Sequence, residues 1–395
     1  SNEISSNSPS FRTDLAKKLE ELVPEAIADG KVDVVKLKEL LAEDAGEPNE
    51  RFGLFWPGKK QALRAAQEPT TATLRPAKDE SKDWDTTNNI FIEGDNLEVL
   101  KVLQKQYHNS IKMIYIDPPY NTGKDFVYPD NFKEGLQNYL EFSQQVDEGN
   151  KKISTNTETT GRYHSNWLNM MYPRLKLARN LLTDDGVIFI SIDDAEQANL
   201  KKICDEIFGE GNFVSQIVWQ KKYAPQNDAK YFSTSHDYIL IYARSIERFS
   251  RNLLPRSKEQ LARYKNIDND PRGPWQSDNF TVATYSASYD YPITLPSGRT
   301  INPTPGRCWR TSYENYKKLV ADNRISFGLY GDNVPRIKRF LSEVQDGSVP
   351  ETLWLYKDVG HNQGAATSLK NLMDGKKYFD YPKPVTLIEF MAKIA

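Results

Sequence analysis

The chain has 395 residues, 38% hydrophobic and 27% charged, with a formal net charge of −2, a balance that points to a folded protein and away from a generic polyanion coat. No apolar run approaches the ~20 residues that span a bilayer, and the N-terminal SNEISSNSPS has neither the basic nor the apolar region of a signal peptide. The 2 cysteines and 4 scattered histidines form no metal-ligand pattern, so the expectation is a reducing, cytoplasmic protein of two or three domains without a structural metal.

Residues 11–46 carry apolar side chains at helical spacing. LAKKLEELVPEAIADG reads as a helix that Pro24 breaks and Gly30 stops, and VDVVKLKELLAED reads as a second. Residues 47–88 have connector composition apart from the apolar patch FGLFW at 52–56. The pattern then changes. NNIFIEGD (88–95) reads as a strand, NLEVLKVLQKQY (96–107) as a helix and IKMIYID (111–117) as a strand. A helix is expected near 134–147, and SNWLNMMYPRLKLARNLLTDDG (165–186) reads as a long helix before the β-rich VIFISID (187–193). Another helix is expected at 194–211, then strands at 213–220 and 237–244 with no helix between them. Strands alternating with helices of ~10–15 residues indicate a doubly wound α/β sheet, and the last two strands an antiparallel edge pair.

From 245 to 360 the alternation gives way to Pro, Gly, Arg, Trp and Tyr, with short strands near 324–329 and 336–342 and a helix near 312–322, as expected of a different domain. Its approach, 243–266, carries seven Lys/Arg against two Glu, which suits either a selective contact surface or a solvated charged face. The aromatics interleaved with Arg in this region suit base and phosphate contacts, although many of them are needed for the small domain's own core. Trp219, Lys221 and Lys222 open a loop, YAPQNDAKYF, that suits either DNA phosphates or a simple edge connection. His164 and His361 read as hydrogen-bonded structural residues. YPKPVTLIEFMAKIA (381–395) returns to an apolar helix opened by Pro384.

One stretch carries chemistry. IYIDPPY ends a strand in Asp117-Pro118-Pro119-Tyr120. Ligands of open α/β sheets bind outside the carboxyl ends of strands. Two prolines fix φ in succession while keeping their carbonyls as acceptors. Asp117 adds a second acceptor and Tyr120 a flat ring, so the turn suits an exocyclic amine on a planar ring; a tight turn after a strand explains the tetrapeptide alone equally well. Asn121, Thr122 and Gly123 read as the start of a loop, with Gly123 free to take positive φ. Asp95 reads as either an N-cap or a pocket residue.

IYIDPPYNTG resembles the catalytic motif of amino-methylating DNA methyltransferases. FIEGDNLEVLK (91–101), the 157–194 stretch, SHDYILIYAR (235–244), GRCWRTS (306–312), NVPRIKRFLSEV (333–344), VGHNQ (359–363) and YPKP (381–384) are similar to the β-class enzymes typified by modification subunits of type III restriction–modification systems. The resemblance runs from about residue 50 to 395. It implies a Rossmann-like methyltransferase sheet over 76–244 and 361–395, an inserted α+β target-recognition domain at 245–360, and an N-terminal helical segment and connector at 1–75. It also implies methyl transfer from S-adenosylmethionine to adenine N6 in double-stranded DNA with base flipping. Asp117, Pro118, Pro119 and Tyr120 would be catalytic, Asp95, Asp117, Lys383 and Pro384 would border the cofactor, and Asn121, Thr122 and Gly123 would begin the substrate loop, with no metal. Implied partners are double-stranded DNA, a second copy of the chain in a homodimer, and a restriction/helicase subunit, with no membrane. The family pattern places a Phe-x-Gly-x-Gly cofactor loop after the YPKP helix, and the sequence reaches Ala395 before it; a DNA-recognition or scaffold piece that docks a separate nuclease is therefore the alternative expectation.

Overall fold

The fold is that of a computed structural model, which describes residues 11–28, 31–41, 53–122, 163–379 and 381–395. The helix expected near 134–147 lies outside these residues. The chain divides into two compact units, one formed by 1–252 with 351–395 and the other by 253–350.

The first unit contains helices α1 (Phe11–Leu22), α2 (Val34–Leu41), α3 (Lys59–Gln67), α4 (Asn96–Tyr107), α5 (Tyr163–Leu181), α6 (Gln197–Phe208), α7 (Asn362–Leu372) and α8 (Val385–Ile394). Its sheet contains β1 (Ile111–Ile116), β2 (Leu182–Ile192), β3 (Phe213–Gln220), β4 (His236–Ala243) and β5 (Leu353–Trp354), in the order β5-β3-β4-β2-β1. β1 pairs with β2 and β3 with β5 in parallel, while β4 runs antiparallel to both β2 and β3. This is a mixed, Rossmann-like α/β sheet. β2 is buried on both faces, with Val187, Ile188, Phe189, Ile190 and Ile192 each 0% exposed, which is why VIFISI reads as a continuous apolar run and not as an alternation.

Several expectations change. The pair β3–β4 is antiparallel but does not form the edge, because Leu353–Trp354 adds a strand outside it and Val218 N–H donates to the Thr352 carbonyl at 2.9 Å. That pairing also makes the second unit narrower than the 245–360 segment read from composition. NNIFIEGD forms no strand; Ile90 and Phe91 are exposed. A strand needs a hydrogen-bonding neighbour, and among the described residues β1 pairs only with β2. The long helix ends at Leu181, and the DDG that was read as its stop lies inside β2. The connector is not bare: α3 lies within it, and Leu54, Trp56 and Leu63 pack on the core of α5 and α6. There Trp56 Nε1 donates to Asn169 Oδ1 at 2.7 Å.

The second unit is α+β. A three-stranded antiparallel sheet runs in the order Ile325–Ser326, Arg336–Phe340, Trp275–Asn279, beside the helix Tyr313–Ala321. The strands expected at 324–329 and 336–342 are shorter than read. Phe280, Ile293, Leu295, Trp309, Tyr316 and Ile325 form its core, so these aromatics are spent on folding and not on contact. Among the described residues no helix is long and apolar enough to cross a membrane, and no group of His, Cys, Asp and Glu is arranged to hold a metal.

Candidate active site

β1 ends at Ile116, and Asp117-Pro118-Pro119-Tyr120 leaves the sheet at its carboxyl end. Proline has no N–H to continue the ladder, so pairing with β2 stops there and the chain turns rigidly outward. Trp167 of α5, nearly fully buried, donates from Nε1 to the Pro119 carbonyl at 2.7 Å. Among the described residues the Pro118 carbonyl has no such donor, which leaves it as the acceptor beside Asp117.

Three further side chains gather around this turn, Lys383, Asp237 and Lys221. Lys383 Nζ donates to Asp117 Oδ2 at 2.7 Å and lies 5.2 Å from the Tyr120 ring centroid. The Tyr120 hydroxyl points at Asp237 Oδ2, 3.5 Å away, and Lys221 Nζ donates to Asp237 Oδ1 at 2.5 Å. The result is an alternating row of Lys383, Asp117, Tyr120, Asp237 and Lys221, with two carboxylates flanking the tyrosine and a lysine outside each. Asp237 is 2% exposed. Burial pushes its carboxyl up to about 6, against the opposing pull of Lys221 and Lys383. Burial, with the charges of Asp237 and Asp117, pushes the Tyr120 phenol far above its ordinary value. Tyr120 is therefore a neutral ring and hydrogen-bond donor at neutral pH, never a phenolate.

Lys383 is held in place by a close backbone crossing. Gly360 has φ +84 and ψ 175, a region only glycine occupies readily. A Cβ there would lie 2.7 Å from Thr386 Oγ1 and 2.8 Å from Pro384 Cβ. The Gly360 carbonyl accepts from Trp219 Nε1 at 3.1 Å, and Thr386 Oγ1 donates to the Val359 carbonyl at 2.7 Å. Asn362 N–H donates to the Lys221 carbonyl at 3.1 Å. This crossing ties YPKP and VGHNQ to the end of β3. Gly360→Ala is expected to cost roughly 1–3 kcal/mol through backbone strain, read as a lower urea midpoint.

Asn121 takes φ +58 and donates from Nδ2 to Glu196 Oε1 at 2.5 Å. Glu196, 0% exposed, also receives Asn199 Nδ2 at 2.8 Å and faces His164 Nδ1 at 2.7 Å. Thr122 is exposed and Gly123 lies outside the described residues. Asp95 is an N-cap: its Oδ1 accepts from Leu97 N–H at 3.0 Å and Glu98 N–H at 3.1 Å, and Oδ2 faces Arg174 at 3.8 Å. His361 caps α7 through Gly364 N–H. The structure thus brings Asp117, Pro118, Tyr120, Lys383 and Pro384 together.

Sequence reading missed Asp237 and Glu196; it left Lys221 between DNA phosphates and a simple edge connection, and the structure turns its side chain inward onto Asp237. For Asp237 the available signal was a carboxylate inside the start of an otherwise largely apolar strand, HDYILIYA. Asn362 Oδ1 is buried and has no hydrogen-bond donor among the described residues. A hydrogen-bond donor such as an ammonium or amine would satisfy this orphaned acceptor.

The family described as DNA methylase matches residues 111–395. The chain is 38% identical over 382 residues to the type III restriction-modification enzyme StyLTI Mod subunit of Salmonella typhimurium, an alignment covering 94% of this chain and 56% of that protein. The EcoPI Mod subunit of Escherichia phage P1 is 33% identical, over 91% of this chain and 60% of its own. The EcoP15I Mod subunit of Escherichia coli is 34% identical, over 74% of this chain and 51% of its own. The chain therefore spans roughly half to three-fifths of the length of these relatives.

Proposed function

This chain belongs to the DNA methylase family, and from that premise we propose that it transfers a methyl group to adenine N6 in double-stranded DNA, as the modification subunit of a type III-like restriction–modification system. The observation that supports this reading is the Asp117-Pro118-Pro119-Tyr120 turn at the end of β1, with Tyr120 set between two carboxylates.

The amine of adenine is a poor nucleophile because its lone pair is delocalised into the ring. Asp117 and the Pro118 carbonyl accept hydrogen bonds from that amine and favour a pyramidal nitrogen. Positive charge developing there then meets preorganised acceptors. The second carboxylate, Asp237, adds negative potential from a desolvated position, where charge acts more strongly than in water. Tyr120 supplies the face on which the base stacks. Flipping the base costs a few kcal/mol, and stacking on an aromatic returns roughly 1–3 kcal/mol. S-adenosylmethionine supplies an electrophilic methyl group when bound. Asp117, Lys383 and Pro384, with Asp95 at the start of α4, are proposed to border it, and the orphaned Asn362 Oδ1 is proposed to accept from its amino group. Asn121, Thr122 and Gly123 are proposed to begin the loop over the base, with Glu196 holding Asn121 in its left-handed conformation. We assign target recognition to the 253–350 unit, and propose a cytoplasmic homodimer that works with a separate restriction subunit.

The test is incubation with duplex DNA and isotope-labelled S-adenosylmethionine, followed by mass spectrometry of the nucleosides. Labelled N6-methyladenine is expected. Labelled N4-methylcytosine, or DNA binding with no labelled base, would overturn the reading. In the same assay Tyr120→Phe is expected to keep most of its activity and Tyr120→Ala to lose roughly 10-fold or more, the equivalent of the stacking energy.

A further inference from the structure

The second unit carries a cleft of about 280 Å³ beside its three-stranded sheet, lined in part by Arg263, Lys265, Arg336, Trp275, Ser277 and Asn333. The sheet face away from Arg336 supplies Ile325 and Ile337 to the unit's core, and the Arg336 face is itself closed at Trp275, Lys338 and Phe340 and open at Arg336. Arg336 stands opposite Asn279 on one neighbouring strand and Ser326 on the other, and Lys265 bridges to Trp275. A second cleft shares Asn333, Val334 and Arg336 with the first and continues past Asn279 and Pro335, so the two form one groove around Arg336.

The charges of this unit are not uniform. Arg272, Arg310, Arg324, Lys338 and Arg339 are each paired with a carboxylate. Lys338 lies on the same sheet face as Arg336 but is buried and bound to Asp268. Arg263, Lys265 and Arg336 are exposed, and among the described residues none of the three has a carboxylate within ion-pair distance. No acidic residue lines the groove. Arg256 and Arg307 of this unit bond only to backbone carbonyls, so lack of a carboxylate partner is not peculiar to the groove; what the groove adds is three such cations gathered with no acidic residue in its lining, which gives a surface of uncompensated positive potential. Serine and asparagine between them offer neutral donors of the kind that also reach phosphate oxygens.

We propose that the groove around Arg263, Lys265 and Arg336 grips the phosphodiester backbone of the duplex and positions it, and does not read base identity. This rests on the DNA methylase reading above. Phosphate neutralisation releases counterions, so binding weakens with salt at a slope of about 0.9 per phosphate contacted. Base contacts instead confer discrimination between sequences.

The experiment measures affinity for a methylatable and a non-methylatable duplex across a salt series, for the parent protein, for R263Q/K265Q/R336Q, and for the control R299Q/K317Q/R339Q. The control removes the same charge from paired positions. Circular dichroism and melting confirm that both variants fold. The groove variant is expected to flatten the salt slope by about 3 and to lose at least about tenfold in affinity on both duplexes alike. An unchanged slope, a loss confined to the methylatable duplex, or an equal flattening by the control would overturn the proposal. A parent protein that binds no DNA would sink the methylase reading together with the groove; a parent that binds and a groove variant that binds identically would sink the groove alone.

Discussion

Asp117→Ala is expected to lower the rate of methyl transfer by about 10²–10³-fold or more, the loss typical of removing one preorganised group from a charge-stabilising site. DNA affinity should change little, because on the proposed reading the substitution removes an acceptor for the reacting amine and not a backbone contact. Lys383 then loses the partner it holds at 2.7 Å while its side chain is only 13% exposed, so a modest destabilisation of about 1–3 kcal/mol should accompany the loss of rate. Asp117→Asn separates these effects. It keeps a carbonyl acceptor and the volume but removes the charge, and its rate should fall between those of the parent and Asp117→Ala. Single-turnover rates at saturating DNA, read beside urea midpoints, check the prediction. A variant that folds and transfers methyl at the parental rate would remove Asp117 from the catalytic set and with it the physical account of the turn.

Asp237→Ala is expected to cost about 3–5 kcal/mol of stability, because it strands Lys221 in a site where its side chain is only 17% exposed. Replacing both partners, as in D237L/K221M, should recover most of that loss, since no uncompensated charge remains. The parent should also carry a pH signature. Burial raises the Asp237 carboxyl in the folded state to about 6, from the ordinary 3.8. Between these values the folded protein binds a proton that the unfolded chain does not, so acidification favours the fold and stability falls as pH rises through about 6. A rise from 3.8 to about 6 corresponds to about 3 kcal/mol over the window. The surrounding groups are Lys221, Lys383 and Asp193, and burial raises the Asp193 carboxyl as well, so the measurement compares the parent with Asp237→Asn between pH 4 and 7. If the two pH profiles run parallel, Asp237 does not titrate as its burial implies.

The Asp117-Pro118-Pro119-Tyr120 turn was legible in the sequence because its signal is local. Two prolines after an apolar run end a strand wherever the chain goes, and the residues that flank them travel with them. The same holds for α4, capped by Asp95, and for α8, which Pro384 starts. The strand read at 88–95 failed for the converse reason: apolar β-branched residues announce the capacity to pair, but pairing is a property of the neighbour. The short strand at Leu353–Trp354 was missed on the same ground, since two residues carry no periodicity and only contact with β3 makes them a strand.

By itself the sequence determined the tetrapeptide, the alternation of helices and strands, and the switch in composition near the second unit, all of which are written in spacing over a few residues. Only the tertiary structure decided that Lys383, 266 positions away, closes on Asp117, that Lys221 turns inward onto Asp237, and that Glu196 holds Asn121. Electrostatic pairing depends on distance in space and on the water excluded around it, and neither is encoded in chain separation.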